Sequence, residues 1–406
     1  MEKNSRTKFC LYIVKLYTLI LLFSAAFPAA AEAAEEYVQD DITEKYKEYT
    51  QCFEAINTLD DIKAQDYEIV EKHVFDVPLV IKSTEVDEDG EPLDTEVTRP
   101  VDINRISEED AVMAQSVPTV RFITAIDKKY HRAAVFLADR DGKIVYKTNM
   151  LECNYTVRGA LEQPIVDMVS VAFADMNHDG LMDIILIAGC VNDSGSYAGE
   201  LYKIGEVLFQ EKDAVSFYRD WRINDKLNRF GMNKSAKCII SFVRDGNSTE
   251  FLYTATTEQE LVDNGFRVIE EQSYWRTYEK LGQLKVLPGT FSMADYDVFM
   301  IYMIDRQGNI VWCFQPMGDM DNLYSLKGMS GKDMDGDGMK DLVVWAQYSK
   351  EGEHGELLLQ SRCSVYYQRT GGFDTDTDFV ESYRFTGEEN MEMLLSAIRA
   401  YWGWSE

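Results

Sequence analysis

The chain has 406 residues and a formal net charge of −29 at pH 7. Such an excess of carboxylates repels nucleic acid and anionic membrane surfaces, so we expect neither as a partner. With 46% hydrophobic residues and only 8 prolines, the chain is able to bury a large core, as one large β domain or two smaller ones.

Residues 1–34 have the three regions of a secretory signal peptide. Three basic residues among the first eight precede an apolar run from Leu16, and small residues follow it. The run is shorter than the roughly 20 residues that span a membrane, which favours cleavage after Ala31 or Ala33. We therefore expect a secreted or cell-surface protein without stable membrane insertion. An uncleaved N-terminal anchor is the alternative.

The cysteines do not indicate a metal or redox site. Cys10 lies in the signal peptide, and the other six are spread along the chain with no C-x-x-C pair. This spacing predicts neither a zinc site nor a thioredoxin motif. We expect buried free thiols, although export also permits disulfides.

Residues 35–61 form a predicted N-terminal helix. From Asp41, apolar side chains recur at steps of four and three, which places them on one face. Asp41 and Glu44 have the spacing of an N-terminal cap. The members of the stripe are Ile42, Tyr46, Tyr49, Phe53 and Ile56.

The rest of the chain divides into two predicted β-rich halves, residues 62–235 and 236–406. Residues 67–75 and 77–82 have the composition of strands, and Asp89 lies in an acidic turn. Residues 133–147 and 297–314 are predicted hairpins that turn at Gly142 and Gly308. Residues 238–253 give a third predicted hairpin, with its turn at Gly246.

Two nine-residue loops repeat the order D-x-[DN]-x-D-G-x-x-D. Calcium takes six to eight oxygen ligands, so a short loop must turn oxygens inward at alternating positions around a sharp bend, which glycine provides. The sequence therefore predicts two calcium sites, with side-chain ligands and one backbone carbonyl in each. The predicted ligands are Asp175, Asn177, Asp179, Leu181 and Asp183 in the first loop, and Asp333, Asp335, Asp337, Met339 and Asp341 in the second.

These loops differ from the EF-hand. The twelfth positions are Leu186 and Val344, where an EF-hand has a bidentate glutamate. Each loop is followed by an apolar, β-branched run, D-I-I-L-I-A or D-L-V-V-W-A, which predicts a buried strand. Solvated turns are the alternative interpretation of both loops.

The pattern resembles the FG-GAP/VCBS-like repeats of integrin alpha-type β-propeller blades. The resemblance covers Val169 to Gly189 and Lys327 to Gln347, and Phe173 precedes the first loop as it often does in such repeats. It implies a structural calcium ion in a loop that enters a blade strand. We accordingly expect a mainly β, propeller-like fold, with internally duplicated antiparallel blades and a few peripheral helices. A two-lobed β-rich body is the alternative.

The end of the chain and its short motifs carry no catalytic signature. A C-terminal helix is predicted, with Thr386 and Glu389 at capping-box spacing and an apolar face from Met391 to Trp402. The carboxylates from Asp374 to Asp378 lack a loop glycine, so a solvated loop is favoured there. With four histidines, no H-E-x-x-H and no G-x-S-x-G, we predict no catalytic residues. His178 is expected at the surface.

These observations predict a secreted calcium-binding protein that acts as a binding or adhesion module for a protein or glycan partner. An enzyme is the less expected outcome. The alternative is a secreted hydrolase with carboxylate catalysis, and a pair of close carboxylates with raised pKa in a pocket would favour it.

Overall fold

A computed structural model describes residues 47–79, 119–154, 165–191, 201–212, 215–318, 320, 322–351, 357–375 and 377–404. The predicted signal peptide, Asp41 and the turn at Asp89 lie outside these residues. The described chain is mainly β, with four antiparallel sheets that follow one another in sequence.

Each sheet is an up-and-down meander in which strands that are neighbours in sequence pair with each other. In sheet 3 the short β9 also pairs with β11. Sheet 1 contains β1 (Tyr67–Pro78), β2 (Thr119–Asp127), β3 (Ala133–Ala138) and β4 (Ile144–Thr148); sheet 2 contains β5 (Ile165–Ala174), β6 (Asp183–Val191), β7 (Leu201–Gln210) and β8 (Phe217–Arg219); sheet 3 contains β9 (Arg267–Val268), β10 (Tyr274–Tyr278), β11 (Gly282–Met293), β12 (Tyr296–Ile304) and β13 (Ile310–Phe314); sheet 4 contains β14 (Asn322–Ser330), β15 (Leu342–Glu351), β16 (Leu357–Arg369) and β17 (Gly372–Thr375).

Short helices accompany the sheets. Residues 47–54 are helical, and Tyr49 and Phe53 of the predicted stripe are buried there. The other helices are α1 (Leu59–Ala64), α2 (Trp221–Arg229), α3 (Ala236–Val243), α4 (Phe251–Thr254), α5 (Glu258–Asp263), α6 (Thr377–Ser382) and α7 (Met391–Tyr401). No helix within the described ranges is long and apolar enough to cross a membrane.

The predicted hairpins at Gly142 and Gly308 are confirmed as β3–β4 and β12–β13. Both glycines have positive φ, +80° and +87°, a conformation that a side chain disfavours. An aspartate begins each turn: Asp139 accepts hydrogen bonds from the backbone amides two and four residues later, and Asp305 does the same.

The edges of sheets 1 and 3 repeat one further arrangement. Thr58 starts α1 with a capping box, and Thr257 starts α5 in the same way. The next backbone amide donates to the glycine carbonyl of the hairpin turn, from Leu59 to Gly142 at 3.0 Å and from Glu258 to Gly308 at 2.9 Å. The same local structure therefore occurs twice, once beside each of these sheets.

The sheets pack face to face in consecutive pairs. One core lies between sheets 1 and 2 and includes Phe122, Leu137 and Ile184. Another lies between sheets 3 and 4 and includes Phe299 and Leu342. Sheets 2 and 4 each bury their other face under helices, α2 and α3 on sheet 2 and α6 and α7 on sheet 4.

The predicted third hairpin at residues 238–253 is wrong, because this segment forms α3, a turn and α4. The Ser235 side chain caps α3 by accepting a hydrogen bond from the amide of Cys238 at 3.1 Å. The apolar residues of α3 then pack on sheet 2, so tertiary burial selects a helix where the local pattern favoured strands.

Two smaller expectations also change. Residues 67–78 form one strand with a bulge between Ile69 and Val74, whereas two strands were predicted. The C-terminal helix begins at Met391, because Asn390 caps it by accepting from the amide of Met393. Its predicted apolar face is confirmed at Leu394, Leu395 and Ile398, which are buried. The six cysteines after Cys10 are free thiols.

Candidate metal centres

The two predicted metal loops occupy equivalent places in two sheets. Loop 1 (residues 175–183) connects β5 to β6, and loop 2 (residues 333–341) connects β14 to β15. The strands predicted after the loops are confirmed, and their first apolar residues are fully buried. Each loop therefore enters the second strand of a four-stranded sheet.

The first aspartate of each loop holds the bend. Asp175 accepts a hydrogen bond from the amide of Gly180 at 2.8 Å, and Asp333 accepts one from Gly338 at 2.9 Å. These glycines have φ of +82° and +81°. A residue with a Cβ would strain this backbone, although nothing lies within 4 Å of a Cβ at either position.

The last aspartate of loop 1 anchors the loop to the sheet. Asp183 is fully buried, and its two oxygens accept hydrogen bonds from the backbone amides of Gln210 and Met176, both at 2.8 Å. Burial raises the pKa of Asp183 to about 6, with a smaller contribution from the nearby Asp179 and Asp175.

The last aspartate of loop 2 has partners at the equivalent positions. Asp341 is fully buried and accepts hydrogen bonds from the amides of Gln368 at 2.9 Å and Met334 at 2.7 Å. Burial raises its pKa to about 7, and Asp335 and Asp337 add to this. The loops thus share one hydrogen-bond scheme as well as one sequence pattern.

The two loops differ in how closely their carboxylates gather. In loop 2, oxygens of Asp333, Asp335 and Asp341 lie within 4.8 Å of one another. Among the described residues this is the one such group of three acidic side chains, so loop 1 does not form one. Asn177 takes the place of an aspartate there and donates to Asp179 at 3.0 Å.

The donor set fits a hard cation. Every predicted side-chain ligand offers a carboxylate or amide oxygen, which is the chemistry that calcium prefers. The predicted carbonyl ligands belong to Leu181 and Met339. The structure shows the hydrogen bonds of their backbone amides: the amide of Leu181 donates to Asp179, and that of Met339 donates to Asp337. His178, at the fourth position of loop 1, is exposed as expected.

Sequence reasoning missed the residues that surround loop 2. The Arg369 guanidinium lies 2.8 Å from Asp335 and 3.0 Å from Asp337. From the C-terminal end, the Trp404 indole donates to the carbonyl of Met334 at 2.7 Å, and Arg399 donates to that of Asp333 at 3.3 Å. The glutamine partners had a sequence signal, because the matching segments G-E-V-L-F-Q and C-S-V-Y-Y-Q end at Gln210 and Gln368.

A second group of carboxylates lies away from the loops. Glu206 on β7 is buried, and Arg219 on β8 bonds both Glu206 and Glu152. Burial raises the pKa of Glu206 to about 7, although Arg219 opposes this. Arg219 and the two glutamates therefore form a three-residue ion cluster.

The comparisons with known proteins place the chain in no family. No family model matches it, and no curated protein matches it. A crystal structure of exo-inulinase from Aspergillus awamori has a TM-score of 0.20 and 10% sequence identity, over 66% of this chain and 48% of that chain. A similarity this low carries no argument about function.

Proposed function

We propose that this protein is an extracellular calcium-binding module that recognises a protein or glycan partner. The observation that carries the proposal is the matched geometry of loops 1 and 2. Each buries its last aspartate against the sheet and holds a glycine bend with its first aspartate. Duplication of a whole ligand pattern, with its hydrogen bonds, favours a cation over two solvated turns.

The proposed role of calcium is structural. Each loop leads directly into a buried strand, and its second residue, Met176 or Met334, is buried under helices. A cation at this point would join strand, loop and helices. The resemblance to FG-GAP/VCBS-like repeats suggests that the four sheets are blades of a propeller-like body, and the meander topology of each sheet supports this.

Exposed aromatic residues support a binding role. Trp221 at the start of α2 is 71% exposed, and Tyr218, three residues earlier on β8, is 46% exposed. Aromatic rings with an apolar face and a polar edge suit both sugar and protein contacts. We therefore place the first candidate contact surface at Tyr218 and Trp221.

The hydrolase alternative receives less support. Glu206 and Glu152 are close carboxylates, and Glu206 has a raised pKa, which is the feature that would favour an enzyme. Both are nevertheless bonded to Arg219, and Glu206 is buried. Two carboxylates that are bonded to one arginine resemble a structural ion pair. This cluster therefore favours the binding module over the hydrolase.

Calorimetric titration of chelator-treated protein tests the proposal. We expect two calcium ions per chain, with one lost when Asp179→Ala removes a ligand of loop 1 and one lost in Asp337→Ala. Absence of binding at millimolar calcium in a folded protein would refute it. A glycan array and a surface-protein panel, probed with the native protein and Trp221→Ala, then test the partner class.

A further inference from the structure

A positive charge from the neighbouring strand β16 lies within hydrogen-bond distance of two carboxylates of loop 2. Arg369 directs two guanidinium nitrogens at separate aspartates, Nη2 to Asp335 at 2.8 Å and Nη1 to Asp337 at 3.0 Å. The Asp335 side chain is only 7% exposed, so its charge is largely removed from water and requires a partner. The planar fork of arginine suits two carboxylates at once.

The residue of sheet 2 that corresponds to Arg369 has the opposite charge. Gln210 and Gln368 occupy matching positions, because each donates its backbone amide to the last aspartate of its loop. The residue after Gln368 is Arg369, and the residue after Gln210 is Glu211. The two loops share their ligand pattern, but the residues at this position differ by two charge units, and the Glu211 side chain accepts a hydrogen bond from Ser216.

Loop 2 also has one more carboxylate than loop 1. Oxygens of Asp333, Asp335 and Asp341 lie within 4.8 Å of one another, whereas loop 1 has the neutral Asn177 in the place of Asp335. Carboxylates at this separation repel each other unless a cation lies among them. Arg369 supplies a positive charge to one member of this group, Asp335, and to the adjacent Asp337.

We propose that Arg369 is the internal counter-ion of loop 2, which takes the place of calcium in the calcium-free protein and is displaced when calcium binds. This inference rests on the proposed calcium binding. Loop 2 consequently keeps its shape without calcium, whereas loop 1 depends on the ion. The two sites are then unequal, and calcium acts on stability chiefly through loop 1.

Melting curves in chelator test the counter-ion role without any calcium. Arg369→Gln removes the charge and keeps a polar side chain, and we expect its melting temperature to fall by several degrees. Arg369→Lys keeps the charge and should lose less. Arg362→Gln is the matched control, because Arg362 lies on the same strand and hydrogen-bonds Gln360 rather than loop 2.

Calcium titration tests the displacement. The indole of Trp404 contacts loop 2, so the fluorescence that is lost in Trp404→Phe reports this loop. Removing one charge from beside a cation site should tighten calcium binding at loop 2 by about tenfold in Arg369→Gln. In the reverse exchange, Glu211→Arg should weaken the calcium response of loop 1 and leave loop 2 unchanged.

The outcomes separate this inference from the proposed function. A larger calcium-induced rise in melting temperature for Arg369→Gln than for the native protein supports the inference. Equal rises in the two proteins, or equal melting of Arg369→Gln and Arg362→Gln in chelator, would overturn it. If no variant responds to calcium, the proposed function and the displacement step both fail, and the chelator curves alone decide the counter-ion role.

Discussion

The backbone amide of Gln368 donates a hydrogen bond to Oδ1 of Asp341 at 2.9 Å, which ties the end of β16 to the last residue of loop 2. The other oxygen of Asp341 accepts from Met334, so one buried carboxylate joins a loop, its strand and a neighbouring strand. Asp183 repeats this junction in sheet 2.

Asp341→Ala should destabilise the protein even without calcium. It would leave the amides of Gln368 and Met334 buried without an acceptor, at about 1–3 kcal/mol each. Asp341→Asn keeps one carbonyl oxygen and should lose roughly half as much. Urea denaturation in chelator measures both. Equal stability of the alanine variant and the native protein would show that the junction is dispensable.

The loops were predictable because their information is local. Oxygen-bearing residues at alternate positions, a glycine at the bend and a β-branched run afterwards lie within about a dozen residues. The hairpins at Gly142 and Gly308 were predictable for the same reason. Arg369 was not, since it approaches loop 2 only through the pairing of β15 with β16.

The segment 238–253 shows where local reasoning fails. An apolar run followed by Asp245-Gly246 fits a strand that ends in a turn. It fits equally well a helix that ends at the same point. The deciding contacts are the Ser235 cap and the burial of Ile239 against sheet 2. Only the cap was visible in the sequence, and the sheet that buries the helix was not.

Gly289 in β11 should tolerate no side chain. A Cβ there would lie 2.4 Å from the ring of Phe266 and 2.5 Å from the backbone oxygen of Arg267, which is unable to move independently of β9. We expect Gly289→Ala to cost about 1–3 kcal/mol or more. Gly371→Ala is the control, because nothing lies within 4 Å of its Cβ.

Both glycine variants are compared by thermal and urea unfolding. The expected order is a large loss for Gly289→Ala and a change within about 0.5 kcal/mol for Gly371→Ala. Similar losses in the two variants would mean that general glycine flexibility, rather than the close approach of β9 to β11, determines the effect.

Glu206 should make stability depend on pH. Burial raises its pKa from 4.5 to about 7. A carboxyl whose folded-state pKa is raised stabilises the fold below its unfolded pKa, and that contribution is lost as pH rises through the folded value. At about 1.4 kcal/mol per pKa unit, the native protein should lose up to roughly 3 kcal/mol between pH 4.5 and 7 from this group.

Glu206→Gln removes the titrating group, so its stability should change less over this range. The control Glu250→Gln alters a surface pair with Lys226 and should keep the native profile. Denaturation midpoints at several pH values provide the measurement. A native slope retained in Glu206→Gln would assign the pH dependence to other groups.

The last prediction compares the two loops at their fifth position. Asp179 and Asp337 each accept the amide two residues later, at 2.9 and 2.8 Å, so alanine removes the same hydrogen bond and one proposed calcium ligand from each loop. A ligand that binds only the folded state adds RT ln(1 + [L]/Kd), about 2.7 kcal/mol at a hundredfold excess over Kd. Because Arg369 already offsets part of the negative charge of loop 2, we expect Asp179→Ala to lose more than half of the calcium-induced rise in melting temperature and Asp337→Ala to lose less than half. Melting curves with calcium and with chelator give the rise for each variant. If each variant loses half of the rise in melting temperature, the two sites are equivalent. If the rise is undiminished in both variants, the loops are solvated turns.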